Sequence, residues 1–209
     1  MLSKFRKPAA PVVRPRRVHR ELPSTWVEVP SDYTDAARWS PRIGEYFPNF
    51  SGDSTDGRIT FHPYTSGHWT IFFSIAAAFS ETCTVELAEL SGVQQELCQE
   101  GVKVIGIARN TVAELHSWRQ EVSRRSGHQV TLPILSDPEG ILTSTFGMIH
   151  PLQDENSTIR KTLIIDPRLR VSMNFEYPLY ISRSIEELLR TLDAARDHYQ
   201  ENLLRGRHG

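Results

Sequence analysis

Apolar and β-branched residues form two nearly continuous runs in the first half of the chain, from His68 to Ile75 and from Val102 to Ile107. Such runs are typical of strands that are buried on both faces of a sheet. The segment after each run predicts a helix, from Glu81 to about Glu100 and from Thr111 to about Arg124. Ser80 precedes the first helix and is a suitable N-cap, because its hydroxyl can accept a hydrogen bond from the first turn.

The remaining elements extend this alternation in both directions. A short strand at Ile59 to Phe61 follows the turn Thr55-Asp56-Gly57 and predicts an opening hairpin. Further along come a strand at Val130 to Leu135, a short helix at Pro138 to Phe146 that ends at Gly147, strands at Thr162 to Ile165 and Leu169 to Phe175 around the turn Asp166-Pro167, and an amphipathic helix from Ser184 to about Leu204. Strands that alternate with helices need right-handed crossovers and a sheet covered on both faces, whereas the closing strand pair is an antiparallel addition. The order predicts an α/β, thioredoxin-like fold: a central mixed sheet with helices on both faces and an N-terminal hairpin.

The composition is that of an ordinary globular protein, with 39% hydrophobic and 23% charged residues among 209. The longest largely apolar stretch, Trp69 to Phe79, is far shorter than the roughly 20 residues that cross a bilayer, so no membrane span is predicted. The chain has two cysteines and lacks a secretory signal pattern. These features argue against a disulfide framework and predict a reducing, cytoplasmic location.

Residues 1–20 contain seven Lys and Arg residues and no acid. Such a segment is compatible with a solvated tail, with contact to nucleic acid or an anionic membrane surface, or with an organelle transit peptide. Its prolines interrupt any amphipathic helix, which favours the solvated tail. We therefore expect residues 1–40 to form a basic, Pro-rich and partly disordered leader without a nucleic-acid partner, and residues 41–204 to form the domain. Deletion of residues 1–20 should leave folding intact.

Cys83 is the candidate reactive residue, because it falls in the first turn of a predicted helix that follows a buried strand. In α/β folds, ligands bind at this edge of the sheet. The partial positive charge and unpaired N–H groups of a helix N-terminus favour the thiolate, which is the reactive form. The alternative interpretation is a small hydrophobic residue that fills space near the end of the strand.

Three other residues bear on this site. Cys98 lies on the same predicted helix, roughly 22 Å from Cys83 at 1.5 Å per residue, and is expected to be a packing residue that forms no disulfide with it. Arg160 precedes a predicted strand and Arg183 the last helix. Each is either a solvated surface cation or, if it faces Cys83, a donor that stabilises the thiolate. The histidines lack paired ligand spacing and no Gly-x-Gly-x-x-Gly pattern occurs, so neither a metal nor another cofactor is predicted.

The segment from Trp69 to Glu86 closely resembles the peroxiredoxins, especially their one-cysteine branch, in which a strand ends in Pro-x-x-x-Thr/Ser-x-x-Cys. The resemblance runs from about Pro41 to about Tyr199 and implies the same thioredoxin-like fold. It also covers Phe47–Phe50, Gly101–Gly106, Leu132–Asp137, Phe146–Met148, Arg160 with Ile164–Pro167, and Arg183 with Glu187–Leu192.

The resemblance implies roles for five residues. Cys83 falls on the peroxidatic cysteine, Ser80 on the hydroxyl that contacts the peroxide, and Arg160 on the arginine that activates thiolate and substrate. Glu86 falls on a carboxylate that orients an arginine, and Arg183 on a second arginine, which we expect to help bind substrate.

Two positions depart from the family pattern. Ala76 stands where the family has a proline, and Ile75 stands where the one-cysteine branch usually has a histidine. The proline shields the thiolate from water and packs against the bound peroxide, so Ala76 is a candidate substrate contact whose identity bears on catalytic efficiency.

These residues together predict a thiol-dependent peroxidase that reduces hydrogen peroxide or small organic hydroperoxides while Cys83 becomes a sulfenic acid. Because the chain offers no good internal resolving thiol, the reductant would be an external thiol, either glutathione or a thioredoxin-like protein. A homodimer is expected. The alternative is a catalytically weakened redox sensor or binding scaffold with a peroxiredoxin fold. A thioredoxin-like disulfide oxidoreductase is disfavoured because no Cys-x-x-Cys occurs.

Overall fold

The structure is a computed structural model, and it describes residues 40–149 and 157–206. The predicted leader, apart from residue 40, lies outside the described residues. Among the helices of these two ranges, none is long and apolar enough to cross a membrane.

The described part of the chain folds into one seven-stranded sheet with helices on both faces. The elements in order are β1 (Ser51–Ser54), β2 (Gly57–Thr60), α1 (Phe61–Thr65), β3 (Trp69–Ser74), α2 (Glu81–Gln99), β4 (Val102–Ala108), α3 (Val112–Ser126), β5 (Ile134–Ser136), α4 (Ile141–Thr145), β6 (Arg160–Ile165), β7 (Val171–Tyr177) and α5 (Ile185–Leu204). The strand order is β2-β1-β5-β4-β3-β6-β7. Strand β4 is parallel to β3 and β5, whereas β6 is antiparallel to β3 and β7 to β6. The predicted mixed sheet and α/β class are confirmed.

Strand β3 lies in the middle of the molecule and contributes to two cores. Ile71 and Phe73 pack with buried residues of α2, α3 and α5 on one face of the sheet. Phe72 points to the other face and packs with aromatic rings that include Phe47 and Phe146. Both faces are thus covered, which explains why the sequence of β3 is almost continuously hydrophobic.

Seven predicted elements agree with the structure to within two residues at each end. They are β3, α2, β4, α3, β6, β7 and α5. The opening hairpin is also present, since β1 and β2 pair in antiparallel register. The closing β6 and β7 form the predicted antiparallel addition.

The prediction that Phe61 ends a strand is wrong, because this residue begins α1. Its N–H donates to the carbonyl of Phe50 at 2.9 Å, and the next N–H, that of His62, donates to Asn49 Oδ1 at 2.9 Å. The Phe61 ring is fully buried and stacks on that of Phe50 at 5.0 Å. Aromatic packing and side-chain capping therefore turn the chain into a helix after Thr60.

The strand predicted at Val130 to Leu135 is reduced to three residues in β5. Side chains occupy the backbone donors that precede it: Ser123 Oγ accepts from Val130 N, and Gln94 Oε1 accepts from the N–H groups of Thr131 and Leu132. Pro133 has no N–H to donate. Strand pairing thus begins at Ile134 although the preceding residues favour a strand.

The helix predicted from Pro138 begins three residues later, at Ile141. Residues 137–140 form a turn instead, in which Gly140 donates its N–H to the Asp137 carbonyl at 2.9 Å and has a φ of +71°. The Asp137 carboxylate accepts from the N–H groups of Leu142 and Thr143 and so provides the cap of α4.

Candidate active site

Cys83 lies in the first turn of α2, at the edge of the sheet where β3 ends. Ser80 is the N-cap, and its Oγ atom accepts a hydrogen bond from the Cys83 N–H at 3.3 Å. The side chain of Cys83 is packed into the core, with 2% of the residue exposed. Because α2 has 19 residues, its dipole places partial positive charge at this turn. The site therefore combines a buried thiol with a helix N-terminus.

Arg160, the first residue of β6, contacts the thiol directly. Its Nη1 atom lies 3.3 Å from Cys83 Sγ and 2.9 Å from Glu86 Oε2. Its Nε and Nη2 atoms both donate to the carbonyl oxygen of Leu179, at 3.2 and 3.1 Å. The guanidinium group is thus held at both ends, with one N–H edge facing the sulfur atom.

Arg183 binds the same carboxylate from the opposite side. Its N–H donates to Glu86 Oε1 at 2.6 Å, and its Nη1 atom donates to Glu86 Oε2 at 3.1 Å. Its Nε atom donates to Thr162 Oγ1 and its Nη2 atom to the Ser74 carbonyl. Burial lowers the pKa of the Arg183 guanidinium, and the nearby Glu86 carboxylate opposes this shift. The group remains charged, because arginine keeps its proton in proteins.

Five of the six predicted site residues form one chain of contacts: Ser80, Cys83, Arg160, Glu86 and Arg183. The surface-cation interpretation of the two arginines is wrong, since they are 4% and 5% exposed. Two guanidinium groups share one carboxylate, so this buried cluster carries a net positive charge that an anionic sulfur or a polar substrate could balance.

Ala76, the sixth predicted residue, lies in the loop between β3 and Ser80 and is 9% exposed. The preceding Ile75 continues the pairing of β3, because its N–H donates to the Ile107 carbonyl at 2.8 Å. The departure from the family pattern is therefore located where the chain leaves the sheet, four residues before the N-cap.

Comparison with known proteins identifies this arrangement. The model of the AhpC/TSA family matches residues 43–173. The chain belongs to the AhpC/TSA family. The chain is 31% identical over 157 residues to 1-Cys peroxiredoxin A of Oryza sativa subsp. japonica, covering 73% of this chain and 71% of the relative. Identity to the 1-Cys peroxiredoxin PER1 of Triticum aestivum is 32% over 156 residues, with 73% and 72% covered.

Solved structures of peroxiredoxins have the same fold. A cysteine-to-serine mutant of Peroxiredoxin 6 of Arenicola marina superposes with a TM-score of 0.70 at 30% identity, and 74% of this chain and 73% of that chain are covered. The yeast mitochondrial 1-Cys peroxiredoxin gives a TM-score of 0.72 at 28% identity, with 77% and 79% covered. The predicted resemblance and the thioredoxin-like fold are confirmed, and this AhpC/TSA-family protein is a thiol-dependent peroxidase.

The second cysteine of the peroxidase corrects one prediction. Cys98, predicted to be a packing residue, is exposed near the end of α2. Its neighbour Leu97 takes the buried position instead, with 3% exposure. Helix α2 is continuous from Glu81 to Gln99, so Cys83 and Cys98 lie at opposite ends of it and both are free thiols.

Sequence reasoning missed several groups that hold the site together. The carbonyl of Leu179 fixes Arg160, and Thr162 and the carbonyl of Ser74 fix Arg183. Backbone acceptors leave no signal in side-chain patterns. Trp118 was also missed; its indole N–H donates to Thr84 Oγ1 at 3.1 Å. A tryptophan within a predicted amphipathic helix is a usable signal, because a buried indole needs an acceptor.

In residues 40–149 and 157–206, no group of three His, Cys, Asp or Glu side chains is arranged to hold a metal ion. The groups that the site offers for chemistry are the Cys83 thiol and the hydrogen-bond donors around it.

Proposed function

We propose that Cys83 is the peroxidatic thiol of this peroxidase and that its substrate is hydrogen peroxide or a small organic hydroperoxide. The observation that carries the proposal is the position of Arg160 Nη1, 3.3 Å from Cys83 Sγ at the N-terminus of α2. A fixed guanidinium and a helix N-terminus both favour a thiolate and both offer donors to an incoming peroxide.

The reaction is an in-line displacement. The Cys83 thiolate attacks one peroxide oxygen, an S–O bond forms and the O–O bond breaks. The departing oxygen takes a proton and leaves as water or as an alcohol, and Cys83 becomes a sulfenic acid. Negative charge moves onto the departing oxygen, so donors that are already in place stabilise the transition state.

The neighbouring residues have distinct roles in this proposal. The Ser80 oxygen accepts from the Cys83 N–H and can still donate its own hydrogen to the peroxide. Glu86 holds both Arg160 and Arg183, so it orients the cations without touching the substrate. Arg183 contributes positive charge to the substrate pocket, and Ala76 is a candidate substrate contact.

An external thiol completes the proposed cycle. It attacks the sulfenic sulfur, releases water and forms a mixed disulfide with Cys83; a second thiol then releases Cys83 and leaves as part of a disulfide. Cys98 is an unsuitable resolving partner because it lies at the other end of α2. In the yeast mitochondrial 1-Cys peroxiredoxin, the thiol is resolved through glutathione and thioredoxin systems. By analogy with that protein, we assign glutathione or a thioredoxin-like protein to this chain as its reductant.

We further propose a homodimer that acts in the reducing cytoplasm. Strand β7 is at one end of the described sheet and pairs there only with β6. Its outer N–H and C=O groups suit pairing with the same strand of a second copy. Two free thiols in the chain are consistent with a reducing compartment.

A weakened redox sensor or scaffold is the second candidate. It is favoured by Ala76 and Ile75, which replace the proline and histidine of the family pattern at the exit of β3. The two candidates share the same contacts around Cys83, so the rate of reaction with peroxide separates them.

The decisive experiment is stopped-flow tryptophan fluorescence of the reduced protein mixed with hydrogen peroxide. We expect a rate far above that of free cysteine, loss of the reaction in Cys83→Ser, and an unchanged rate in the matched control Cys98→Ser. A wild-type rate equal to that of free cysteine would favour the scaffold. Peroxide consumption that survives in Cys83→Ser would reject the assignment of the reactive thiol.

A further inference from the structure

Trp118 joins α3 to the turn that carries Cys83. The residue is fully buried, and its indole N–H donates to Thr84 Oγ1 at 3.1 Å. An indole nitrogen can only donate, so in this interior position it depends on the hydroxyl of Thr84. The contact links two helices that pack on the same face of the sheet.

Thr84 closes the first turn of α2. Its backbone N–H donates to the carbonyl of Ser80 at 2.9 Å, and the residue is 4% exposed. Thr84 is thus fixed twice, by the main chain of Ser80 and by the side chain of Trp118. Cys83 lies between these two anchored residues and directly next to Thr84.

Phe79, on the other side of the turn, also contacts Trp118. The two ring centroids are 6.4 Å apart, within the range of aromatic pairs. Phe79 has a φ of +66°, a conformation that bulky residues rarely adopt and that the surrounding packing must maintain. One side chain of α3 therefore contacts the chain both before and after the segment 80–83.

This turn decides which molecules reach the sulfur. While it is formed, 2% of Cys83 is exposed and Arg160 occupies one side of its Sγ atom. A peroxide is small enough to enter such a site, whereas a bulky thiol or disulfide needs the turn to open. Opening would break the Thr84–Trp118 hydrogen bond, because Thr84 belongs to the turn and Trp118 does not.

We propose that Thr84 and Trp118 are positioning residues whose hydrogen bond holds the first turn of α2 closed and so limits the access of bulky thiol reagents to Cys83. The inference rests on the proposed function, since it takes Cys83 as the reactive thiol. It assigns to Thr84 a control over the reductive half of the cycle. Peroxide attack occurs in the closed turn and does not depend on opening.

The test measures access without peroxide. In a Cys98→Ser background, Cys83 is the sole thiol and can be titrated with a bulky aromatic disulfide, from which its attack releases one coloured thiolate. We expect Thr84→Val and Trp118→Phe each to speed this release roughly fivefold, the factor that corresponds to one net hydrogen bond. The stopped-flow rate with hydrogen peroxide should change less than twofold, provided that the closed turn remains the major form.

Two controls separate access from general destabilisation. Thr84→Ser keeps the hydroxyl and should restore the wild-type release rate. Thr65→Val removes another buried hydroxyl, whose bond to the Phe61 carbonyl is 2.7 Å long, and should lower the melting temperature without a change in release. Release that is equal in Thr84→Val and wild type would overturn the inference, even if Trp118→Phe fails to fold. A wild-type protein that does not react with peroxide would reject the proposed function instead, and the release rates would still test the role of Thr84.

Discussion

The Nη1 atom of Arg160 lies 3.3 Å from Cys83 Sγ although 77 residues separate the two in the chain. The contact follows from the direction of β6, which is antiparallel to β3 and pairs Phe73 with Thr162. An antiparallel strand begins at the edge where its neighbour ends, so the first residue of β6 reaches the N-terminus of α2. A parallel strand would place its first residue at the opposite edge of the sheet.

Replacement of Arg160 by lysine should slow peroxide attack by about 100-fold, the scale on which a preorganised donor contributes to a transition state. A lysine carries the charge but cannot contact Cys83, Glu86 and Leu179 at the same time, as the planar guanidinium does. Stopped-flow fluorescence measures the rate, and thermal unfolding should shift by a few degrees at most. Arg196→Lys on α5, 24% exposed and paired with Glu100, is the matched control and should react like wild type. An Arg160→Lys rate equal to wild type would show that the guanidinium geometry is irrelevant.

Glu86→Gln should destabilise the fold, because one carboxylate balances the buried charges of Arg160 and Arg183. Removal of one partner of a buried ion pair typically costs about 3–5 kcal/mol. Urea unfolding at neutral pH would measure the loss. Glu100→Gln is the control, since its pair with Arg196 is partly exposed and should contribute at most about 1 kcal/mol. If both variants lose the same small amount, the Glu86 cluster does not support the fold.

Ser80→Ala tests the two functions assigned to one hydroxyl. Loss of the N-cap should lower the free energy of unfolding by about 1 kcal/mol, because the Cys83 N–H loses its acceptor. Loss of the donor should also slow peroxide attack. Ser80→Thr retains the cap and the donor, and should restore both stability and rate. A variant Ser80→Ala that is less stable but equally fast would restrict Ser80 to capping.

Local patterns predicted the central elements of this fold. Strand β3 and helix α2 were predictable because hydrophobic periodicity and the N-cap Ser80 act within a few residues. Val130 to Leu135 has the composition of a strand, but Gln94 and Ser123, distant in sequence, bind its N–H groups. Such tertiary competition is invisible in a local window of sequence.

The site followed a similar division. The placement of Cys83 in the first turn of a helix was readable from the chain itself. The convergence of Arg160 and Arg183 on Glu86 depends on strand direction, and only the resemblance to peroxiredoxins implied it. Cys98 was misjudged because helix α2 could bury either of two adjacent residues, and the fold buries Leu97.

Ala76→Pro should raise peroxide reactivity several-fold if the site is a peroxidase limited by the missing ring. Its local backbone suits proline: φ is negative, since Phe79 and Leu169 are the described non-glycine residues with positive φ. Among the described residues, no backbone acceptor is paired with the Ala76 N–H, so no hydrogen bond of that group is lost. The residue before a proline must be extended, and Ile75 continues the pairing of β3.

The expected gain has two separable origins, and Ala76→Val distinguishes them. Valine adds volume that can shield the thiolate but leaves φ free, whereas proline also fixes the backbone at the exit of β3 and should add about 0.4–1 kcal/mol of stability. A rise in both variants, measured by stopped-flow fluorescence, would assign the effect to shielding, and a rise in Ala76→Pro alone would assign it to backbone geometry. A wild-type rate no higher than that of free cysteine, together with a folded Ala76→Pro variant that gains nothing, would contradict the peroxidase proposal, because the remaining contacts of Cys83 would then be insufficient for catalysis.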